Sequence, residues 1–346
     1  MDALKDIGGP AQPLLTITGL VKHFPLKKDP LGRGGGVVRA VDGVDFEVLK
    51  GETLGVVGES GCGKSTTARL LMQLIAPTRG EVIFDGREVG GRELPLKEFR
   101  RQVQMVFQDS YASLNPRLTI EDSVAFGPQV HGVSRRESVA RARDLLARVG
   151  LEPQRFAERY PHELSGGQRQ RVNIARALAL QPRMVILDEA VSALDKSVEA
   201  QVINLLLDLK AEFGLTYLFI SHDLNVVRYV SERVMVMYLG QVAEIGPADA
   251  LYDAPAHPYT RALLSSMPSM DPDNRTMEAA LAGDPPNPIN PPSGCRFHPR
   301  CALAAPVCSQ VVPEPVATGS LHAASCLVLE PGSGHPMAQP PMRQAA

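Results

Sequence analysis

Gly58-Glu-Ser-Gly-Cys-Gly63-Lys64-Ser65-Thr66 fits the pattern G-x-x-x-x-G-K-[ST] in full. The apolar run Thr53–Val57 precedes it, and the helical pattern Thr67–Ile75 follows. A strand, a glycine turn and a helix in that order make a phosphate cradle. Glycines let backbone N–H groups curl around phosphate oxygens, and the helix adds its positive end. Each residue of the loop (Gly58, Glu59, Ser60, Gly61, Cys62, Gly63, Lys64, Ser65 and Thr66) is a candidate nucleotide contact. Lys64 is expected to reach the β- and γ-phosphates, and Ser65 to bind Mg²⁺. Cys62 reads as a tolerated small residue, open to oxidation but not a catalyst.

Outward from the loop, short apolar runs alternate with longer helical segments. Met184–Leu187, Tyr217–Ile220 and Val234–Tyr238 read as strands; Ser138–Val149 and Val198–Phe213 read as helices. That alternation predicts an α/β fold with a largely parallel sheet. Two of the strands end in chemistry. Asp188 and Glu189 close Met184–Leu187, where one carboxylate can hold Mg²⁺ and the next can act as general base on water. His222 closes Tyr217–Ile220 and can hydrogen-bond a γ-phosphate, although alone it reads as a structural histidine. Gln108, after Val103–Phe107, offers a neutral amide to Mg²⁺ or water, and alone it reads as a solvated loop residue.

Leu164-Ser165-Gly166-Gly167-Gln168 precedes the helical segment Arg169–Leu180. Ser165 is a good N-cap, and the glycines leave the helix N–H groups open to an anion. One nucleotide needs one cradle. A second is explained if it serves a nucleotide held by another subunit.

These motifs, with Ser192-Ala-Leu-Asp195, stand in the order of the ATP-binding subunits of ABC transporters, which residues 14–255 resemble. The resemblance implies a P-loop ATPase: a RecA-like core, an antiparallel β subdomain, and a helical subdomain over about 95–165. It implies a head-to-tail dimer, with Ser165, Gly166, Gly167 and Gln168 of one subunit closing the ATP of the other. Phe24 resembles the aromatic that stacks on adenine, and Asp195 the residue that links the two sites. Every motif is intact, which implies a site competent in hydrolysis.

The tail narrows the likeness. His257-Pro-Tyr-Thr-Arg261 and Asn287-Pro-Ile-Asn-Pro-Pro-Ser-Gly-Cys295 are similar to the C-terminal extension of the oligopeptide/dipeptide importers, closest to the second, F-type ATPase subunit. That subfamily implies a second, non-identical ATPase, two transmembrane permease subunits, and an extracytoplasmic peptide-binding protein. The chain would then sit on the cytoplasmic face of the membrane. Nickel or another small solute stays open as cargo. A non-transport ABC ATPase acting on DNA or ribosomes is the distant alternative.

Composition fits this reading. The 346 residues are 44% apolar and 21% charged, with a formal net charge of −2. A backbone-binding nucleic-acid protein usually carries a basic surplus, so no nucleic acid is expected. No run of 18 apolar residues suggests a membrane span. Met1–Pro13 lacks the basic and apolar regions of a secretion signal, so a cytoplasmic chain is expected. Residues 1–13 and 330–346 read as disordered tails, and Gly32–Gly36 as a glycine-rich insertion in the first hairpin.

Residues 256–329 form the expected extension, with Asp271–Pro292 as an extended proline-rich connector. Cys295, Cys301, Cys308 and Cys326 follow as a compact nub. Four thiolates suit zinc or an iron–sulfur cluster, and spacing alone leaves the metal open. The peptide-importer resemblance tips the expectation to a 4Fe–4S cluster, with Zn²⁺ as the alternative and His298 and His322 as bystanders. The nub is expected to be a structural staple, so that Cys301→Ser would loosen residues 295–326 and leave ATP hydrolysis largely intact.

Overall fold

The computed structural model describes residues 12–26, 35–267 and 283–338. The chain enters as β1 (Pro13–Leu26) and β2 (Gly36–Leu49), then β3 (Thr53–Val57) and helix α1 (Lys64–Leu71). Next come β4 (Arg79–Phe84), β5 (Arg87–Glu88), α2 (Leu96–Gln102) and β6 (Val103–Val106). A helical stretch follows: α3 (Ile120–Val130), α4 (Arg135–Arg148), α5 (Pro153–Phe156) and α6 (Gly166–Leu178). The chain returns through β7 (Met184–Asp188), α7 (Lys196–Phe213), β8 (Thr216–Ile220), α8 (Leu224–Val230) and β9 (Arg233–Tyr238). It ends with β10 (Gln241–Pro247), α9 (Ala248–Asp253), α10 (Pro258–Ser265), β11 (Val316–Gly319) and β12 (His322–Ala324).

The strands of the described residues form two sheets. One is antiparallel, in the order β2-β1-β4-β5. The other runs β11-β12-β10-β9-β3-β8-β7-β6, and its stretch from β9 to β6 is parallel throughout. Parallel strands are covered on both faces, which is why β3, β7 and β8 are buried along their whole length. Alternation along each strand splits the core. Leu54, Val56, Ile186 and Ile220 face Leu15, Val44, Leu70 and Phe84. Val57, Leu187 and Phe219 face Val172, Val202 and Leu206 from α6 and α7. Burying each such side chain contributes about 1.5–3 kcal/mol. The sheet is thereby a rigid floor, and β3, β7 and β8 end on one side of it.

The expected α/β class and the main elements agree with this architecture. Three boundaries differ. The helical lobe does not begin at residue 95, because β6 pairs in parallel with β7 from Val103↔Met184 to Val106↔Leu187 and so belongs to the sheet. The extension is not a separate nub. β12 adds antiparallel to β10, and β11 to β12, so the extension covers what would be an open sheet edge. The tail does not begin at residue 330: the imidazole of His335 is buried and its Nε2 lies 2.9 Å from the Leu303 carbonyl. The expected tails at 1–11 and 339–346, the glycine insertion at 32–34 and the connector at 271–282 lie outside the described residues.

A buried polar knot joins extension and core. Glu244 of β10 is fully buried and accepts hydrogen bonds from the N–H groups of Ala256 and His257, at 2.8 and 2.9 Å. His322 of β12 approaches the same carboxylate at 2.7 Å. The ring fits because residue 246 is glycine; a Cβ there would lie 2.5 Å from the His322 ring. His257 caps α10, its Nδ1 accepting from the Tyr259 N–H at 2.9 Å. Burial lowers its pKa to about 4, against the opposing pull of Glu244. A histidine kept neutral by folding stabilises the protein fully above its unfolded pKa of about 6.5. That contribution is lost as pH falls from about 6.5 towards 4, at about 1.4 kcal/mol per pH unit. The thermal midpoint of His257→Asn, which keeps a capping acceptor, should therefore fall less steeply between pH 7 and pH 5 than that of the wild type. Parallel curves would remove His257 as the source.

Candidate active site

The phosphate loop leaves β3 and enters α1 through three left-handed glycines, Gly58, Gly61 and Gly63, with φ of 147°, 77° and 111°. At two of them glycine is required by space as well. A Cβ on Gly58 would lie 2.2 Å from the Met237 carbonyl, and one on Gly63 would lie 2.4 Å from that of Ala40. The result is a curled backbone ending in a helix N-terminus, the shape a polyphosphate needs. Lys64 is buried, its Nζ donating to the carbonyls of Gly58 at 2.6 Å and Glu59 at 3.2 Å.

Beside the loop, the tips of β7 and β8 carry the expected acids and histidine. Ser65 Oγ donates to Asp188 Oδ1 at 2.8 Å. Burial pushes the Asp188 carboxyl up, Ser65 opposes that, and the neighbouring Glu189 charge adds to it. A buried carboxylate paired with a hydroxyl and short of compensating charge suits a hard divalent cation with oxygen ligands, so Mg²⁺ fits here. Glu189 stands one residue on, in the left-handed region at φ 48°. Its Oε2 accepts from Gln108 Nε2 at 2.8 Å and lies 3.8 Å from His222 Nδ1. Gln108, Glu189 and His222, drawn from three separate segments, thus share one carboxylate oxygen. The structure brings Ser65 to Asp188, and Gln108 and His222 to Glu189.

The signature lies elsewhere, at the start of α6. Ser165 Oγ accepts from the Gln168 N–H at 3.3 Å, while Gln168 Oε1 accepts from the Ser165 N–H at 3.0 Å. That reciprocal pair is a capping box. Gly167 lets α6 lie on α7, since a Cβ would meet Val198 at 2.5 Å, and Gly166 lies near Leu194. Asp195 sits at the N-cap of α7 with no side-chain cap bond. Phe24, on β1 of the antiparallel sheet, is exposed, with Lys22 Nζ 5.1 Å from its ring centroid.

Residues 41–192 match the family described as "ABC transporter", and residues 243–308 match "Oligopeptide/dipeptide transporter, C-terminal region". The "Probable peptide ABC transporter ATP-binding protein y4tS" of Sinorhizobium fredii is 52% identical over 92% of this chain and 91% of its own. The chain belongs to the ABC transporter ATP-binding proteins, in their oligopeptide/dipeptide branch. The "Oligopeptide transport ATP-binding protein AppF" of Bacillus subtilis is 50% identical over 90% of this chain and 96% of its own. Among solved structures, the ATP-binding cassette MJ0796, a dimer in a post-hydrolysis state bound to ADP and Pi, is similar with a TM-score of 0.59 at 30% identity. It covers 68% of this chain and 98% of its own. This ABC ATP-binding subunit is an ATP hydrolase. No helix among the described residues is long and apolar enough to cross a membrane.

One expectation for this ABC subunit needs correction. Cys62 is buried, and burial raises its thiol pKa, so it is shielded from oxidation as well as catalytically inert. At the other cysteines, Cys295, Cys301, Cys308 and Cys326 do line one cavity, with Phe297, Leu303 and Leu327. Its volume is about 20 Å³, room for roughly one water. Among the described residues no three His, Cys, Asp or Glu side chains are arranged to hold a metal ion. Burial pushes the Cys295 thiol up to about 11 and raises Cys301 and Cys326, with the thiols reinforcing one another. The donor set suits a cluster in kind, as four reduced thiols.

Sequence reasoning also missed residues that reach the ATP site from the extension. Arg300 donates to both carboxylate oxygens of Glu59, at 2.7 and 3.0 Å, and the Tyr259 hydroxyl accepts from the Glu59 N–H at 3.0 Å. Arg296 bonds Asp42 and the Leu239 carbonyl, and the Arg39 N–H donates to the Pro288 carbonyl at 3.1 Å. These contacts tie the nub to the phosphate loop. No local pattern announces them.

Proposed function

We propose that this subunit energises the import of di- or oligopeptides, working at the cytoplasmic face of the membrane. The observation that carries the hydrolytic half of the reading is Glu189 held between Gln108 and His222, beside the Ser65–Asp188 pair. In the proposed reaction Lys64 and the loop N–H groups bind the β- and γ-phosphates. Ser65, Asp188 and Gln108 would hold Mg²⁺, which when bound would offset charge developing on the phosphoryl oxygens. Glu189 accepts a proton from the attacking water, and Gln108 orients its carboxylate. His222 donates to the γ-phosphate and so registers its presence. Phe24 stacks on adenine. Ser165, Gly166, Gly167, Gln168 and Asp195 act on the ATP of an opposing subunit, for which the dimeric cassette lends support.

The partners in this proposal are a second, non-identical ATPase, two permease subunits and an extracytoplasmic binding protein. Peptide as cargo rests on the similarity to proteins named for peptide transport. The test is uptake of labelled peptides into proteoliposomes that carry the whole assembly, with ATP on the side of this subunit. Peptide-stimulated hydrolysis that needs the binding protein supports the proposal. Stimulation by nickel and not by peptides would move the cargo to a small solute.

A 4Fe–4S cluster on Cys295, Cys301, Cys308 and Cys326 is proposed from the convergence of four thiols on one cavity. Loading it would require the thiols to part and to lose their protons. Iron and acid-labile sulfide in the anaerobically purified chain would support it; their absence would leave four buried thiols.

A further inference from the structure

We infer that Arg300, in the C-terminal extension, is a positioning residue of the phosphate loop that acts through Glu59. Glu59 is an acid inside a loop built for an anion. Its uncompensated carboxylate would repel a polyphosphate and would be free to swing. The extension prevents both. Arg300 forks onto the two carboxylate oxygens, at 2.7 and 3.0 Å, and its side chain is only 5% exposed. A planar, bidentate guanidinium fixes direction as well as charge.

The backbone of Glu59 is pinned as well. Tyr259 takes its N–H, while its carbonyl accepts from Lys64 Nζ at 3.2 Å and from the Cys62 N–H at 3.2 Å. Arg300 is braced in turn. It donates to the Tyr238 hydroxyl at 3.3 Å and lies over that ring, 5.9 Å from the centroid. Tyr238 packs against Tyr259 and Phe297, with centroids 4.5 and 5.4 Å away. Arg300 itself ends the short 3-10 turn His298–Arg300, set between Cys295 and Cys301. Tyr238 ends β9, the neighbour of the strand that delivers the loop. The extension therefore grips the phosphate loop at one residue through side chain and backbone together. Whatever shifts the Cys295–Cys301 turn shifts that grip.

The inference rests on the ATP-site reading, and its test separates the two. Full-length chains are titrated with MgATP, and thermal midpoints are recorded alongside. Arg300→Gln is expected to raise the Kd about tenfold, the size expected when one partner of a half-buried charged pair is removed. The same change in a Glu59→Gln background is expected to raise it by no more than about twofold, because the carboxylate it answers is gone. Arg300→Lys keeps the charge without the fork, so its Kd should fall between wild type and Arg300→Gln, and it carries the test if Arg300→Gln does not fold. An unchanged Kd with a lowered midpoint overturns the inference, since Arg300 would then serve only the fold. So does an equal rise in both backgrounds. A wild-type chain that fails to bind MgATP overturns the ATP-site reading itself.

Discussion

Glu189→Gln is expected to lower ATP turnover by about 10²–10⁴-fold, the usual contribution of a general base, while MgATP still binds. The substitution is nearly isosteric, and the geometry around it is set by the backbone. The Glu189 N–H donates to the Ile220 carbonyl at 2.9 Å, and its φ of 48° is held by the turn between β7 and α7. A glutamine can keep the Gln108 contact through its own amide oxygen, so the pocket should hold its shape. What disappears is a basic oxygen and a negative charge beside Asp188. The loss of that charge relieves part of the upward push on the Asp188 carboxyl, so cation binding should not suffer. Rapid-quench turnover and equilibrium binding on the same protein separate the two effects. Hydrolysis at the wild-type rate would sink the assignment of Glu189 as base, and loss of binding would mean that its charge serves the ground state.

The parts of this site that were legible in the sequence are those with local causes. Gly58 and Gly63 announce themselves because only glycine fits against the Met237 and Ala40 carbonyls. The strands β3, β7, β8 and β9 read as apolar runs because a parallel sheet buries both faces. Ser165 and Gln168 are three residues apart because a capping box spans one turn. The contacts that escaped have no such period. Arg300 and Glu59 are 241 residues apart, and nothing local to either links them. The strands β11 and β12 are only four and three residues long, in a segment whose prolines argue for an irregular chain. Their pairing comes from the open edge of β10, a property of the folded sheet. The four cysteines, close together in the sequence, also line one cavity in the fold.

Lys64→Ala is expected to weaken MgATP binding by about 10–100-fold, the range for losing a hydrogen-bonded charged partner. Two physical losses add. The first is the cation that would meet the β- and γ-phosphates. The second is internal: Lys64 Nζ holds the Gly58 and Glu59 carbonyls, and alanine releases both from the lysine. Glu59, the residue that Arg300 and Tyr259 also hold, is then already loosened. Lys64→Ala and Arg300→Gln should therefore be less than additive in their effects on Kd, since each already loosens the same residue. Lys64→Met separates both losses from packing, because it restores the volume of the side chain but neither the charge nor the hydrogen bonds. Equal weakening in Lys64→Ala and Lys64→Met assigns the effect to charge and hydrogen bonding, whereas recovery in Lys64→Met assigns it to packing. Wild-type affinity in both would mean that the loop grips its ligand through backbone N–H groups alone, and the role given to Lys64 would fall.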